Sequence, residues 1–162
     1  MTILNWLANV DARYQKGIMI GFDGRHTRAH IYRSILEAVA MTMKGHVADM
    51  CNEVHASLDK IIITGGGSNS DLFMQIFADV FQMPVCRNEV NGAAGLGAAI
   101  CAAVAADVYH SFDDAIKNMV RIKDTFTPIA ENAAVYEKML PIYTSVTKYT
   151  DPILQKTYEI FE

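Results

Sequence analysis

Apolar residues recur at helical spacing from Thr27 to about Leu58, at Ile31, Ile35, Ala38 and Val39, then Met43, Val47, Met50 and Val54. That period predicts a long amphipathic helix with Thr27 as its N-cap and a bend near Gly45. The pattern changes at Lys60–Thr64, a β-branched run without a period of its own that Gly65-Gly66-Gly67 stops at once. Such a run predicts a short strand buried on both faces. Ser70 or Asp71 then caps a second helix, whose apolar face is Leu72, Phe73, Ile76, Phe77 and Val80. Pro84–Arg87 reads as a second strand. An uncharged Gly/Ala segment, Gly92 to Ala106, follows it and reads as a buried helix. A shorter helical stretch runs from Ser111 and Asp113 to about Arg121, and Pro128 breaks the pattern. The tail, about Asn132 to Phe161, is helical in composition and punctuated by Pro141 and Pro152. The first twenty or so residues carry no clean period and read as an irregular entry ending in Gly17, Gly21 and Gly24.

Strand, glycine turn, helix, strand, helix is one right-handed parallel unit, so the class is α/β with helix dominating. A single domain over residues 1–162 is expected, without repeats or low-complexity linkers.

Composition narrows the function classes. The hydrophobic share of 51% fits a packed core, and the net charge of -4 is spread over mixed signs without a basic run that could track phosphates. A nucleic-acid partner is not expected. Cys51, Cys86 and Cys101 are odd in number, lie in apolar surroundings and lack CxxC spacing, which reads as three buried free thiols in a reducing cytoplasm. Asn5, Asn9 and Asp11 interrupt the only apolar stretch that could act as a leader. The Gly/Ala segment falls short of the about 20 apolar residues that span a bilayer. No membrane association is expected.

The glycine turn ends a buried strand and opens a helix, the place where open α/β sheets bind ligands. Without Cβ atoms a flat ligand can approach the backbone, and the amides of the following helix face it with partial positive charge. Three glycines can equally serve only to turn the chain and let helix and strand pack closely. A P-loop is excluded, because no lysine stands at GxxxxGK spacing. Gly65, Gly67 and Ser70 approach a dinucleotide fingerprint, with Arg87 near the place of a 2′-phosphate, so an NADP-binding oxidoreductase domain is an alternative. That unit ordinarily opens its domain, whereas a long helix precedes it here.

Gly17 to Glu37, GIMIGFDGRHTRAHIYRSILE, together with TGGGSNSDLFMQ at Thr64 to Gln75 and a glutamate before an Ala/Gly helix at Glu89 to Ala99, resembles the C-terminal half of the FGGY carbohydrate kinases, with a xylulokinase-like member in view. Gly17, Met19, Gly21, His30, Ile31, Ser34, Ile35, Leu36 and Glu37 fit the family's first motif, while Phe22 replaces its usual smaller aliphatic. The resemblance covers about Gly17 to Asp107. It implies a helix-rich α/β fold, part of the C-terminal lobe of the actin/Hsp70/hexokinase (ribonuclease H-like) type. It also implies ATP with Mg2+ as cofactor and a sugar or polyol bound through an N-terminal lobe that this chain does not contain. Gly65, Gly66, Gly67, Asn69 and Ser70 are the implied nucleotide contacts. No catalytic base and no metal ligand are assigned, so the chain alone is expected to be inactive and, with sheet edge and apolar surface uncovered, to self-associate. A non-catalytic nucleotide-binding or assembly module is the other reading.

Among single residues, Asp23 is expected to satisfy turn amides rather than act as a base. His26 and His30 lack a third ligand at metal spacing. Arg28 and Arg33 flank the helix start as solvated charges or phosphate contacts, and Glu37 is expected to hold a nearby loop by a buried hydrogen bond.

Overall fold

The structure, a computed structural model, describes residues 1–6 and 10–161; Asn9, one of the residues that argue against a leader, lies outside them. In chain order the elements are β1 (Thr2–Ile3), β2 (Ile18–Met19), α1 (Arg28–Val54), β3 (Ile61–Ile63), a 3-10 turn (Gly66–Asn69), α2 (Asp71–Phe81), β4 (Val85–Asn88), α3 (Ala93–Ala105), α4 (Phe112–Met119), β5 (Ile122–Phe126) and α5 (Ala130–Phe161). They form two compact units, Met1–Ala56 with Ala130–Glu162, and Ser57–Ile129.

In the first unit α1 starts at Thr27 as the spacing predicts, the Thr27 N–H donating to His30 Nδ1 at 3.1 Å. It ends earlier than expected, at Val54, because His55 turns into the left-handed region with φ 52°. The buried face is Ser34, Ala38, Ala40 and Met41, while Met43, Met50 and Val54 of the expected stripe are exposed. Polar pairs decide that face. Thr2 and Ser34 hydroxyls meet at 2.7 Å, and Tyr143 on α5 reaches Thr42 at 2.7 Å and the Ala38 carbonyl at 3.3 Å. The entry is not wholly irregular, since Thr2 pairs with Met19 and Ile3 with Ile18 in an antiparallel ladder. Two-residue strands are too short to show a period. α5 continues through Pro141 and Pro152 without a break in assignment.

The second unit holds a three-stranded sheet. Its order is β3-β4-β5, β3 and β4 parallel with Ile61 opposite Val85 and Ile63 opposite Arg87, and β5 antiparallel to β4. α2 packs on this sheet and supplies most of the core, Met74, Ile76, Phe77, Ala78, Val80 and Phe81, with Val85 and Cys86 beneath. Its Ser70 cap accepts from Phe73 N at 3.3 Å. Burying six such side chains stabilises the unit by about 1.5–3 kcal/mol for each large one.

Three expectations are corrected here. β3 is not buried on both faces; it is an edge strand with Ile62 exposed. α3 is not a buried helix, since among its residues only Ile100 is buried and its contacts run to α4. Alanine and glycine lose little by exposure, so composition alone could not place this helix inside. Of the three thiols only Cys86 is buried; Cys101 is exposed and Cys51 half-buried.

Candidate functional site

β3 delivers the chain to Gly65, whose φ of 84° and ψ of -174° lie where only glycine is at ease. The carbonyl of Gly65 then accepts from Ser68 N at 3.2 Å and that of Gly67 from Ser70 N at 3.1 Å, which makes the 3-10 turn and hands the chain to α2. Loop β4–α3 lies alongside, as the carboxyl ends of neighbouring parallel strands must. From it Asn91 O accepts from Gly65 N at 2.9 Å, Asn91 Nδ2 donates to Asn69 Oδ1 at 2.9 Å, and Asn91 Oδ1 lies 2.5 Å from Ser68 Oγ. Ser68 Oγ is also 2.8 Å from the Gly65 carbonyl, so the two acceptors share its one proton.

The five residues expected to meet a nucleotide therefore share one surface turn. Gly65, Gly66, Gly67 and Asn69 are exposed, and Ser70 is half-buried with its hydroxyl engaged in the helix cap. Ser68, between them, is buried and faces the other way.

The three glycines have different reasons to be glycine. At Gly65 the positive φ suffices. At Gly67 a Cβ would come within 2.9 Å of the Phe73 ring. At Gly66 a Cβ would meet nothing within 4 Å and φ is ordinary, so neither packing nor backbone conformation within the chain requires glycine there. An open approach to backbone remains the physical use of that position. Gly65→Ala is expected to lower stability by about 1–3 kcal/mol through backbone strain, read as a lower urea midpoint; an unchanged midpoint would show the turn to be free to relax.

Charge at the turn is not arranged for phosphate. Arg87 is 8% exposed, and its guanidinium is taken up internally by Asp124 (Nε to Oδ1 2.9 Å), by Asp71 (3.0 Å) and by the Ser68 carbonyl (2.8 Å). Hydrogen bonding to Asp124 holds Arg87 more firmly protonated than usual, and Arg87 holds the Asp124 carboxyl below its ordinary range. The expectation that Arg87 meets a 2′-phosphate is corrected by these bonds. Asp71 further sets a negative charge in the first turn of α2, where an anion would otherwise be drawn.

The other residues singled out in the sequence lie in the first unit. Asp23 accepts from Arg25 N at 2.9 Å and from the Arg25 guanidinium at 2.6 Å, and chiefly for that reason its pKa falls to about 2. Its carboxylate serves the loop. His26 Nδ1 stands 2.9 Å from Asp23 Oδ1, and His30 Nδ1 is used at the start of α1. Glu37 accepts from Arg33 Nε and from Tyr136 Oη, both at 2.9 Å. Its partner is a helix, α5, rather than the expected loop. Burial raises the Tyr136 phenol to about 12, so it remains a donor to Glu37.

Ser68, Asn91 and Asp124 were not legible as site residues. Asn91 could have been found, because the end of a second parallel strand must lie beside the end of the first.

Residues 5–106 match the model described as the FGGY family of carbohydrate kinases, C-terminal domain. An uncharacterized sugar kinase, YgcE, of Escherichia coli (strain K12) is 55% identical over 99% of the chain and 33% of its own length. The xylulose kinase of Bacillus subtilis (strain 168) is 27% identical over 83% of the chain and 27% of its length. The crystal structure of xylulose kinase from Rhodospirillum rubrum superimposes with a TM-score of 0.79 at 28% identity, over 95% of this chain and 31% of that one. The chain thus spans about a third of the length of such relatives.

Proposed function

The chain belongs to the FGGY family of carbohydrate kinases, and from that premise we propose that it forms the nucleoside-binding part of an ATP-dependent kinase acting on a sugar or polyol hydroxyl. The observation that carries the reading is Gly66, exposed at the carboxyl end of β3 and free of any internal contact that would demand glycine. Backbone bare on one side suits the flat base and ribose of ATP. The paired Arg87 and the carboxylates of Asp71 and Asp124 favour an uncharged ligand end over a phosphate.

ATP supplies the γ-phosphoryl group, and transfer depends on positioning and charge stabilisation more than on covalent help from the protein. Within this division of labour Gly65, Gly66 and Gly67 admit the nucleoside to the backbone. Asn69 and Ser70 border it with an amide and a hydroxyl, and the bonds from Asn91 and Ser68 keep that surface in place. Among the described residues no group of three histidine, cysteine or acidic side chains could hold a metal ion by itself; Mg2+ bound with ATP would lean on the phosphates and one or two carboxylates.

The purified 162-residue chain, given ATP, Mg2+ and xylulose or glycerol, is expected to form no ADP beyond the blank, because no residue of it is assigned as the general base. It is expected to bind a fluorescent ATP analogue that adenosine displaces within about tenfold of the ATP concentration, a difference of about 1.4 kcal/mol. Turnover by the chain would overturn the first expectation. Displacement by inorganic triphosphate but not by adenosine would overturn the nucleoside reading.

A further inference from the structure

We propose that Arg87 is a positioning residue for the glycine turn, and that nucleotide affinity depends on it although it never touches the ligand; the affinity half of this rests on the nucleoside reading above. Arg87 occupies the central strand β4, opposite Ile63 on one side and Asp124 on the other. Its side chain is 10% exposed and lies over the Phe126 ring, 5.3 Å from the centroid. From there one guanidinium joins four elements. Nε and Nη2 grip both oxygens of Asp124 on β5 at 2.9 and 2.5 Å. Nη1 donates to the Ser68 carbonyl in the 3-10 turn at 2.8 Å and lies 3.0 Å from Asp71 Oδ1 at the start of α2.

This matters because the turn has few bonds of its own, those of Ser68 and Ser70 to the Gly65 and Gly67 carbonyls. Gly65, Gly66 and Gly67 supply no side chains, and glycine backbone has the most freedom to lose on ordering. Further fixed points come from outside. Asn91 holds the Gly65 end, and Arg87 holds the Ser68 carbonyl at the other. Only a planar fork bonded on three sides does this, since a lysine ammonium cannot span both Asp124 oxygens and the carbonyl in one geometry. Without the guanidinium the Ser68 carbonyl is left buried without that donor, and the turn samples other shapes. A ligand that fits one shape then binds more weakly by the fraction of time that shape is lost.

The test measures hydrogen exchange and nucleotide affinity on the same chain. In Arg87→Met the amides of Ser68 and Ser70, both bonded within the turn, are expected to exchange at least tenfold faster, with the α2 and β3–β4 amides changed by less than threefold. The dissociation constant of the fluorescent ATP analogue is expected to rise at least fivefold. Arg87→Lys is expected to fall between, with turn exchange at least threefold faster. If Arg87→Met does not fold, Arg87→Lys decides: wild-type turn exchange in it overturns the proposal. Uniform acceleration across Ser57–Ile129 overturns it too, because Arg87 would then only add stability. Failure of the unmutated chain to bind the analogue sinks the nucleoside reading instead, while the exchange comparison still decides whether Arg87 positions the turn.

Discussion

In a catalytically complete protein carrying this chain, Gly66→Val is expected to raise the apparent KM for ATP at least about tenfold, roughly 1.4 kcal/mol, while the KM for the sugar and the thermal midpoint change little. The separation follows from the surroundings of the turn. A side chain at Gly65 meets an unfavourable φ, and one at Gly67 meets Phe73, so substitutions there disturb folding before they disturb binding. At Gly66 the added isopropyl group points into open space in the free chain and collides only with something that arrives. Valine is also stiff at χ1 and cannot swing aside cheaply. Steady-state kinetics with ATP and sugar varied in turn, beside a thermal melt, gives the answer. Normal ATP dependence would mean that the three glycines only turn the chain.

The parts of the fold visible in the sequence were those whose signal is local. Thr27 and Ser70 mark helix starts through their own hydrogen-bonding chemistry, and the change from β-branched run to triple glycine at Ile63–Gly65 marks a strand end. What escaped depends on partners distant in sequence. β5 reads IKDTF, neither alternating nor apolar, and is a strand because it completes a ladder with β4, Val85 opposite Phe126 and Arg87 opposite Asp124. The buried face of α1 was misplaced for the same reason. Its side is chosen by Thr2 and Tyr143, two residues more than thirty and a hundred positions from their partners, and not by its largest hydrophobes.

The candidate site shows the same division. The turn itself was legible as a contiguous motif, and its five residues were named together. Its supports, Asn91, Arg87 and Asp124, come from three other segments, and no spacing rule within one segment reveals them. The dinucleotide alternative sets Arg87 near a 2′-phosphate. A charge buried between two carboxylates and a carbonyl is already matched within the chain.

A second large effect is expected at Asp79, on the α2 face turned from solvent. It is 2% exposed, and its Oδ1 accepts from Gln75 Nε2 and from the backbone N–H of Ile129, both at 2.7 Å. Gln75 Nε2 also donates to the Thr127 carbonyl at 2.9 Å. The carboxyl group thus ties the segment around Pro128, which lacks an N–H of its own to contribute, to the helix that follows the glycine turn. Asp79→Ala removes the acceptor while leaving the Ile129 N–H without this partner, and hydrogen bonds to charged groups run to about 1.5–3 kcal/mol each. The expected loss is about 3 kcal/mol. Asp79→Asn keeps an oxygen where Ile129 N needs one and gives up the stronger acceptor, so about 1 kcal/mol is expected. Urea unfolding followed by circular dichroism distinguishes the pair, and equal losses in the two variants would mean that the negative charge, which both remove, rather than the bond to Ile129, which Asn can keep, is what Asp79 provides. An Asp79→Ala midpoint shifted by no more than about 0.5 kcal/mol, the scale of surface substitutions, would remove Asp79 from the account altogether.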